Sequence, residues 1–148
     1  MISISIKDQI LSFKDKTYSI SSAANGLGEE EGSFCTPTGK FKIASMIGDG
    51  LESGAVLVAR VPTGEIYSPK LKQQHPDRDW ILTRILWLDG LEVHNKNTKK
   101  RYIYIHGAPD EATMGVPSSK GCIRLRNQDI IELFERVKIG EDVVIMKA

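Results

Sequence analysis

The sequence is poor in cysteine, nearly free of net charge and without a long hydrophobic run. Its two cysteines, Cys35 and Cys122, are too few for the disulfide framework of a small secreted scaffold. A formal net charge of +1 gives no reason to expect a nucleic acid or an anionic membrane surface as partner. The longest apolar runs fall far short of the roughly 20 residues that cross a bilayer, so we expect no membrane insertion.

Metal and phosphate signatures are missing as well. Three scattered histidines and two distant cysteines make no zinc-ligand pattern, and His75 lies in a polar stretch that predicts a surface position. The glycine-rich loop at 25–32 lacks both the lysine and the following helix of a phosphate-binding loop. We therefore predict neither a metal nor a cofactor, and we interpret Cys35 as a small, partly buried thiol.

The amino-terminal stretch, MISISIKDQILSFKDK, lacks the basic segment, the apolar segment and the small-residue cleavage site of a signal peptide. A cytoplasmic protein would begin in this way, and so would a mature domain without its leader. Both explanations stay open at this point.

Short segments of alternating polarity dominate the chain. Ile2, Ile4 and Ile6 alternate with polar residues, which is typical of a half-buried strand. Further strands are predicted over 9–13, 17–23, 40–46, 55–61, 80–88, 90–94, 102–106 and 143–146, with a turn at 62–64 and a long surface loop over 67–79.

Only one helix is predicted, from Asn127 as N-cap to Gly140. Its apolar residues recur at helical spacing; they are Ile130, Ile131, Phe134 and Val137. Many short strands with one late helix predict a single mostly-β domain over residues 1–148. The expected architecture is a Greek-key-like sandwich or barrel with the helix appended.

The chemistry of the chain is concentrated around His106 and Cys122. A thiol is a useful nucleophile only as thiolate, and a free cysteine with a pKa of about 8.5 is mostly protonated at neutral pH. His106 ends an apolar strand and can act as the activating base, while Lys120 and Arg124 flank the thiol with positive charge. Because Gly121 lacks a β-carbon, a substrate carbonyl can approach the backbone amides of Gly121 and Cys122, which are candidate oxyanion donors.

Each of these residues also has an ordinary structural interpretation when it is taken alone. A lone histidine, cysteine or arginine is more often a structural residue than a catalytic one. Their grouping with Gly107, Gly115, Ser118 and Ser119 in one loop favours an active site.

The segment from His106-Gly107 to Ser119-Lys120-Gly121-Cys122-Ile123-Arg124 resembles the active-site signature of the L,D-transpeptidase catalytic domain of bacterial cell-wall enzymes. The stretch at 36–41, TPTGKF, resembles that family's Thr-Pro-x-Gly-x-Phe segment, and 127–145 resembles its closing helix and strand. The likeness covers nearly the whole chain, and its Ser-x-Gly-Cys-x-Arg core is specific.

The resemblance implies an L,D-transpeptidase-like β-sandwich or barrel whose cysteine attacks an amide in a peptidoglycan stem peptide. The bond lies between the third residue, a diamino acid, and the D-alanine that follows. Cys122 matches the nucleophile that forms a thioester, His106 matches the general base, and Gly121 with Cys122 matches the oxyanion donors. The residues assigned to substrate binding are Arg124, Ser119, Lys120 and Gly107, with a structural salt bridge as the alternative role of Arg124.

Three activities are compatible with this resemblance. If an amine of a second stem peptide resolves the thioester, the product is a 3→3 cross-link. If water resolves it, the protein is an L,D-carboxypeptidase or amidase. A non-catalytic peptidoglycan-binding module is the third alternative, because Lys120 stands where many family members carry histidine. Since lysine, with a pKa of about 10.4, is a poor base unless buried, we assign the base to His106 and expect Lys120 to be solvated.

The resemblance also implies partners and a location. We expect peptidoglycan stem peptides as substrates, carbapenem-type β-lactams as inhibitors, and a monomer. The cell envelope or periplasm is the expected location, with a cytoplasmic role in recycling wall fragments as the alternative.

Overall fold

The computed structural model describes all 148 residues, which form one ten-stranded mixed sheet and two α-helices. The strands are β1 (Ile2–Ser5), β2 (Ile10–Phe13), β3 (Lys16–Ser19), β4 (Gly39–Ile47), β5 (Ala55–Val58), β6 (Val61–Ile66), β7 (Ile81–Gly90), β8 (Tyr104–Ala108), β9 (Ile123–Arg126) and β10 (Asp142–Met146). The helices are α1 (Pro69–Gln74) and α2 (Asn127–Arg136), and neither is long and apolar enough to cross a membrane.

The sheet closes almost into a barrel, which confirms the predicted mostly-β class with one long helix. Its strand order is β3-β2-β1-β10-β4-β7-β5-β6, and β8 lies between β7 and β9. The pairs β1–β10 and β8–β9 are parallel, and all the others are antiparallel. Strand β7 is the hub, because it pairs with β4, β5 and β8.

Alternation along β8 and β9 separates the core from the candidate site. Ile105 and Ile123 are neighbours in the parallel register, and both are fully buried in the main apolar cluster with Leu125. From α2, Ile130 and Leu133 pack into the same cluster. Fully burying one such side chain contributes about 1.5–3 kcal/mol, and a one-residue slip would turn the apolar set out of the core. The core therefore fixes which residues face the other side of these strands.

The strand predicted over 55–61 turns back earlier than expected. Ala59 and Arg60, with φ values of +49° and +67°, form the two-residue turn between β5 and β6, and residues 62–64 continue as strand. Positive φ at both central residues matches the twist of a hairpin, and Pro62 is tolerated because β6 is an edge strand. The predicted turn at 62–64 was wrong.

Helix α1 lies inside the predicted surface loop. Ser68 is its N-cap, accepting a hydrogen bond from the Leu71 amide at 3.1 Å, and Pro69 is its first residue. Serine followed by proline is a common helix start, so this short helix had a sequence signal that the proline-rich, charged composition hid.

Several further boundaries differ from the prediction. Strand β8 begins at Tyr104 and continues past His106 to Ala108, and α2 ends at Arg136 instead of Gly140. Residues 90–94 form no strand of their own; they lead into a 3-10 turn at Val93–Asn95, where buried Asn95 donates to the carbonyl oxygens of Thr38 and Lys40 at 3.0 and 3.1 Å. Arg126 rather than Asn127 is the N-cap of α2. The amide side chain of Asn127 instead contacts Thr83 and Asp110, so a tertiary contact takes it away from the helix end.

Candidate active site

The two halves of the predicted site meet across β8 and β9. The parallel register sets His106 beside Arg124, and Tyr104 and Cys122 precede them by two residues on the same face. The Tyr104 backbone N–H donates to Cys122 Sγ at 3.4 Å, and the thiol donates to the Tyr102 carbonyl at 3.5 Å. The fold thus gathers the residues that the spacing grouped, although no hydrogen bond joins the His106 ring to the Cys122 sulfur. Such contacts are often loose in unliganded sites.

The Cys122 thiol is protonated at rest. Burial is the largest cause and, together with the nearby Asp79 carboxylate, raises its pKa to about 12. The hydrogen bond from the Tyr104 backbone N–H lowers the pKa of the thiol, and so do the Arg101 and Arg124 guanidinium groups. Because burial dominates, a base would have to remove this proton before the sulfur could act as a nucleophile.

His106 is suited to be that base. It is only 1% exposed, and burial lowers its pKa below the usual 6.5, so the imidazole is neutral at pH 7. Its Nδ1 lies 2.5 Å from the Gly107 carbonyl oxygen. A carbonyl can only accept, so Nδ1 carries the proton and Nε2 holds a free lone pair. The resting pair is therefore a thiol and a neutral imidazole rather than an ion pair.

The loop before the thiol is held by three hydrogen bonds. Ser119 Oγ donates to the Cys122 carbonyl at 2.6 Å and accepts from the Gly121 amide at 3.2 Å. Thr36 Oγ1 donates to the Gly121 carbonyl at 2.9 Å, which connects the TPTGKF stretch to the site. Gly121 has φ +126°, and a β-carbon there would lie 3.3 Å from the Cys35 carbonyl oxygen.

These contacts refine two of the predicted roles. The Cys122 amide has no protein acceptor and is free to meet an oxyanion, whereas the Gly121 amide is already bonded to Ser119. Ser119 is 7% exposed with its hydroxyl engaged twice, so it shapes the loop.

Arg124 is half-buried and makes no ion pair, which removes the salt-bridge alternative. Its guanidinium donates to the hydroxyls of Ser118 and, at 3.1 Å, Ser21, while its buried Nε has no partner. Burial lowers the pKa of Arg124, and the Asp79 carboxylate opposes that change. Arg124 thus presents a partly desolvated cation at the site.

Gly107 lies behind the histidine and lines neither cleft. A β-carbon there would meet Asn127 Oδ1 at 2.5 Å and the Leu82 carbonyl oxygen at 2.6 Å. The absence of a side chain is therefore required by packing, and the Gly107 carbonyl serves the histidine. A direct role in substrate binding has no support in its position.

A strained residue, which sequence reasoning missed, stands next to Gly107. In β7, Thr83 and Arg84 are extra residues between the Leu82–Gly107 and Ile85–His106 pairs. Thr83 has φ +74°, unusual for a β-branched residue, and its hydroxyl donates to Asn127 Oδ1 at 2.6 Å. Such bulges occur near active sites, where they re-aim side chains.

Two clefts, each of about 550 Å³, open at the site. The first is lined by Arg60, Asp79, Tyr102, Tyr104, Lys120 and Cys122 among others, and the second by Asp79, Glu111, Ser118, Ser119, Lys120 and Arg124 among others. Arg60 forms a wall of the first cleft, with its guanidinium 5.1 Å from the Trp87 ring, 4.8 Å from the Tyr102 ring and 3.1 Å from the Tyr104 hydroxyl. Asp79 and Arg60 were both missed, since neither belongs to a local motif.

The remaining histidines lie outside the site. His75 is exposed at the carboxyl end of α1, and His94 Nε2 is 2.9 Å from the Thr38 carbonyl oxygen. No group of three or more His, Cys, Asp or Glu side chains is arranged to hold a metal ion.

Known proteins resemble this chain in sequence and in fold. The sequence model of the YkuD family, described as an L,D-transpeptidase catalytic domain, matches residues 1–145. The Bacillus subtilis (strain 168) protein YkuD, which is named as an L,D-transpeptidase, is 34% identical over 89 residues, or 60% of this chain and 47% of that protein.

Solved structures show the same fold at low identity. An L,D-transpeptidase from Mycobacterium smegmatis has a TM-score of 0.59 at 16% identity, covering 98% of this chain and 57% of its own. L,D-transpeptidase 3 from Mycobacterium tuberculosis, in complex with a faropenem-derived adduct, has a TM-score of 0.60 at 17% identity, covering 99% and 59%. The present chain spans about half the length of the relatives that it matches. Because the family model covers nearly all of its residues, the chain belongs to the YkuD family of L,D-transpeptidase catalytic domains.

Proposed function

We propose that this protein is a cysteine-dependent L,D-transpeptidase that acts on peptidoglycan stem peptides through a thioester on Cys122. The observation that carries the proposal is the arrangement of one protonated thiol at a cleft and one buried, neutral imidazole on the same sheet face. Family membership supports the reaction class.

The acylation half-reaction follows from these protonation states. His106 Nε2 takes the thiol proton while Sγ bonds to the amide carbon, and the Cys122 backbone N–H stabilises the oxyanion. When the tetrahedral intermediate collapses, the C–N bond breaks, and the departing D-alanine amine receives the proton from Nε2. The Gly107 carbonyl keeps Nδ1 protonated throughout, and it stabilises the transient imidazolium.

The second half-reaction uses the same groups in reverse. The amine of a second stem peptide attacks the thioester and passes a proton to Nε2; the C–S bond breaks, and the thiolate regains its proton. The product is a 3→3 cross-link. The cleft lined by Cys122 meets a second cleft lined by Arg124, and the two leave room for an acyl donor and an acyl acceptor, which favours transfer to an amine over hydrolysis.

A β-lactam should acylate the same sulfur, because its strained amide presents the carbonyl that the thiolate attacks. The faropenem-derived adduct of the Mycobacterium tuberculosis neighbour supports this part of the proposal. We further propose the cell envelope as the site of action, since stem peptides are assembled into the wall there; fractionation of the native protein tests this.

Incubation with a disaccharide tetrapeptide, followed by mass spectrometry, tests the activity, with Cys122→Ala as control. A cross-linked dimer lacking one D-alanine is the expected product. Tripeptide alone would mean that water resolves the thioester and that the protein is an L,D-carboxypeptidase. Unchanged substrate would contradict the proposal and favour a binding module.

A further inference from the structure

Two opposite charges stand where the two clefts meet. Asp79 and Lys120 are both exposed, and they are shared by the linings of both clefts. Neither side chain takes part in an ion pair or a hydrogen bond. Among the other charged residues of the linings only Lys72 is likewise without a partner; Arg78, for example, pairs with Glu65 at 2.8 Å. This pair of charges is therefore available to a ligand.

The backbone on either side of each charge is held in place. Next to Asp79, Arg78 is paired with Glu65 and lies 5.1 Å from the ring of Trp80, which is buried and packs edge-on against Tyr67 at 5.0 Å. Groups presented from a fixed backbone lose less freedom when they bind a ligand.

Lys120 is held in the same way. It sits between Ser119, whose hydroxyl donates to the Cys122 carbonyl at 2.6 Å, and buried Gly121. The ammonium group is therefore presented two residues from the nucleophile.

Asp79 also lies near the reacting groups, because it lines the first cleft with Cys122 and the second cleft with Arg124. Its carboxylate acts on the Cys122 thiol, the His106 imidazole and the Arg124 guanidinium, favouring the protonated form of each. An ion held by Asp79 would therefore sit within reach of the bond that changes, rather than on a remote surface.

We propose that Asp79 and Lys120 together bind an ammonium–carboxylate head group, in which both charges stand on one carbon. The inference rests on the proposed function and names the diamino acid of its substrate. Asp79 accepts from the ligand ammonium, and Lys120 donates to the ligand carboxylate. The side chain of a diaminopimelate residue ends in such a head group, whereas a lysine side chain ends in an ammonium alone. Asp79 and Lys120, where the two clefts meet, thus select stem peptides with diaminopimelate at position three over those with lysine.

Binding to the unreactive Cys122→Ala protein tests this directly. Two stem tetrapeptides that differ only in the third residue, meso-diaminopimelate or L-lysine, are titrated by calorimetry. We expect the diaminopimelate peptide to bind roughly tenfold more tightly, because two partly solvated charge contacts together contribute an affinity difference of about that size. Asp79→Asn and Lys120→Met, each added to Cys122→Ala, should remove the preference. Asp77→Asn, an exposed neighbour outside both cleft linings, should keep it.

Equal affinities in the Cys122→Ala protein, no binding of either peptide, or a preference that survives both substitutions would overturn the inference. A separate measurement tests the proposed function: the parent protein is treated with a carbapenem, and its intact mass is measured by mass spectrometry. Loss of the preference with a normal adduct defeats only the head-group site, whereas a missing adduct with the preference intact defeats only the catalytic proposal.

Discussion

His106 Nδ1 is hydrogen-bonded to the carbonyl oxygen of Gly107 at 2.5 Å, inside a fully buried part of the sheet. This single contact fixes the tautomer of the ring and leaves Nε2 as the basic atom. Since burial keeps the ring uncharged and the Cys122 thiol protonated, we propose general-base catalysis rather than a resting thiolate.

The first prediction separates His106 from Lys120 as the base. His106→Ala should lower the rate of acylation by a carbapenem roughly 10²–10⁴-fold, the usual contribution of a positioned general base. Lys120→Ala should lower it much less, because Lys120 is exposed and its charge is screened. Lys120→His should be tolerated. Stopped-flow or intact-mass time courses provide the rates, and a loss confined to Lys120→Ala would reverse the assignment.

The pH profile provides an independent check on the same residue. The neutral imidazole is the active form, and burial lowers its pKa, so acylation should rise with pH through a midpoint below about 6.5. His106→Ala should lose this step. A midpoint above 7 that persists in His106→Ala would assign the titration to another group.

Stability should also depend on the protonation of His106. Its pKa is lower in the folded protein than the unfolded value of about 6.5, so the unfolded chain binds the proton more tightly. The stabilisation that follows from this difference in pKa is complete above about pH 6.5, and it is lost as the pH falls towards the pKa of His106 in the folded protein. Urea midpoints measured between pH 7.5 and roughly 5 should therefore fall in the parent and fall less in His106→Gln. The exposed His75→Gln is the matched control, and equal slopes for all three proteins would contradict the buried neutral ring.

The buried hydroxyl of Thr36 is predicted to hold the nucleophile loop. It accepts from the Ala23 amide at 3.0 Å and donates to the Gly121 carbonyl at 2.9 Å, so Thr36→Val leaves two buried polar groups unpaired. The free energy of unfolding should fall by about 1–3 kcal/mol, and acylation should slow as the loop loosens. Thr17→Val lies at an exposed strand position without a side-chain hydrogen bond. It should change the free energy of unfolding by no more than about 0.5 kcal/mol and leave the acylation rate unchanged. Denaturant unfolding compares the two variants.

The parts of this site that the sequence predicts are those encoded by local alternation. Ile105 and Ile123 mark the core side of two strands, and the residues next to them, His106 and Cys122, are thereby placed on one face. The face of the long helix that packs on the core follows from its apolar spacing in the same way.

The parts that the sequence did not predict depend on contacts between distant segments. Asp79 lines the clefts next to Trp80, whose ring packs against Tyr67, and no local sequence pattern encodes that contact. The sequence around Asn127 is typical of a helix N-cap, but its side-chain oxygen accepts a hydrogen bond from Thr83, which lies 44 residues earlier in the chain. The bulge at Thr83 also overrides the ordinary backbone preference of threonine, which a reading of local propensity cannot anticipate.

The central claim is that Cys122 is the nucleophile, and intact-mass spectrometry after carbapenem treatment tests it most directly. We predict one adduct per chain in the parent and in Cys35→Ala, and none in Cys122→Ala. An adduct that persists in Cys122→Ala and disappears in Cys35→Ala would contradict the account.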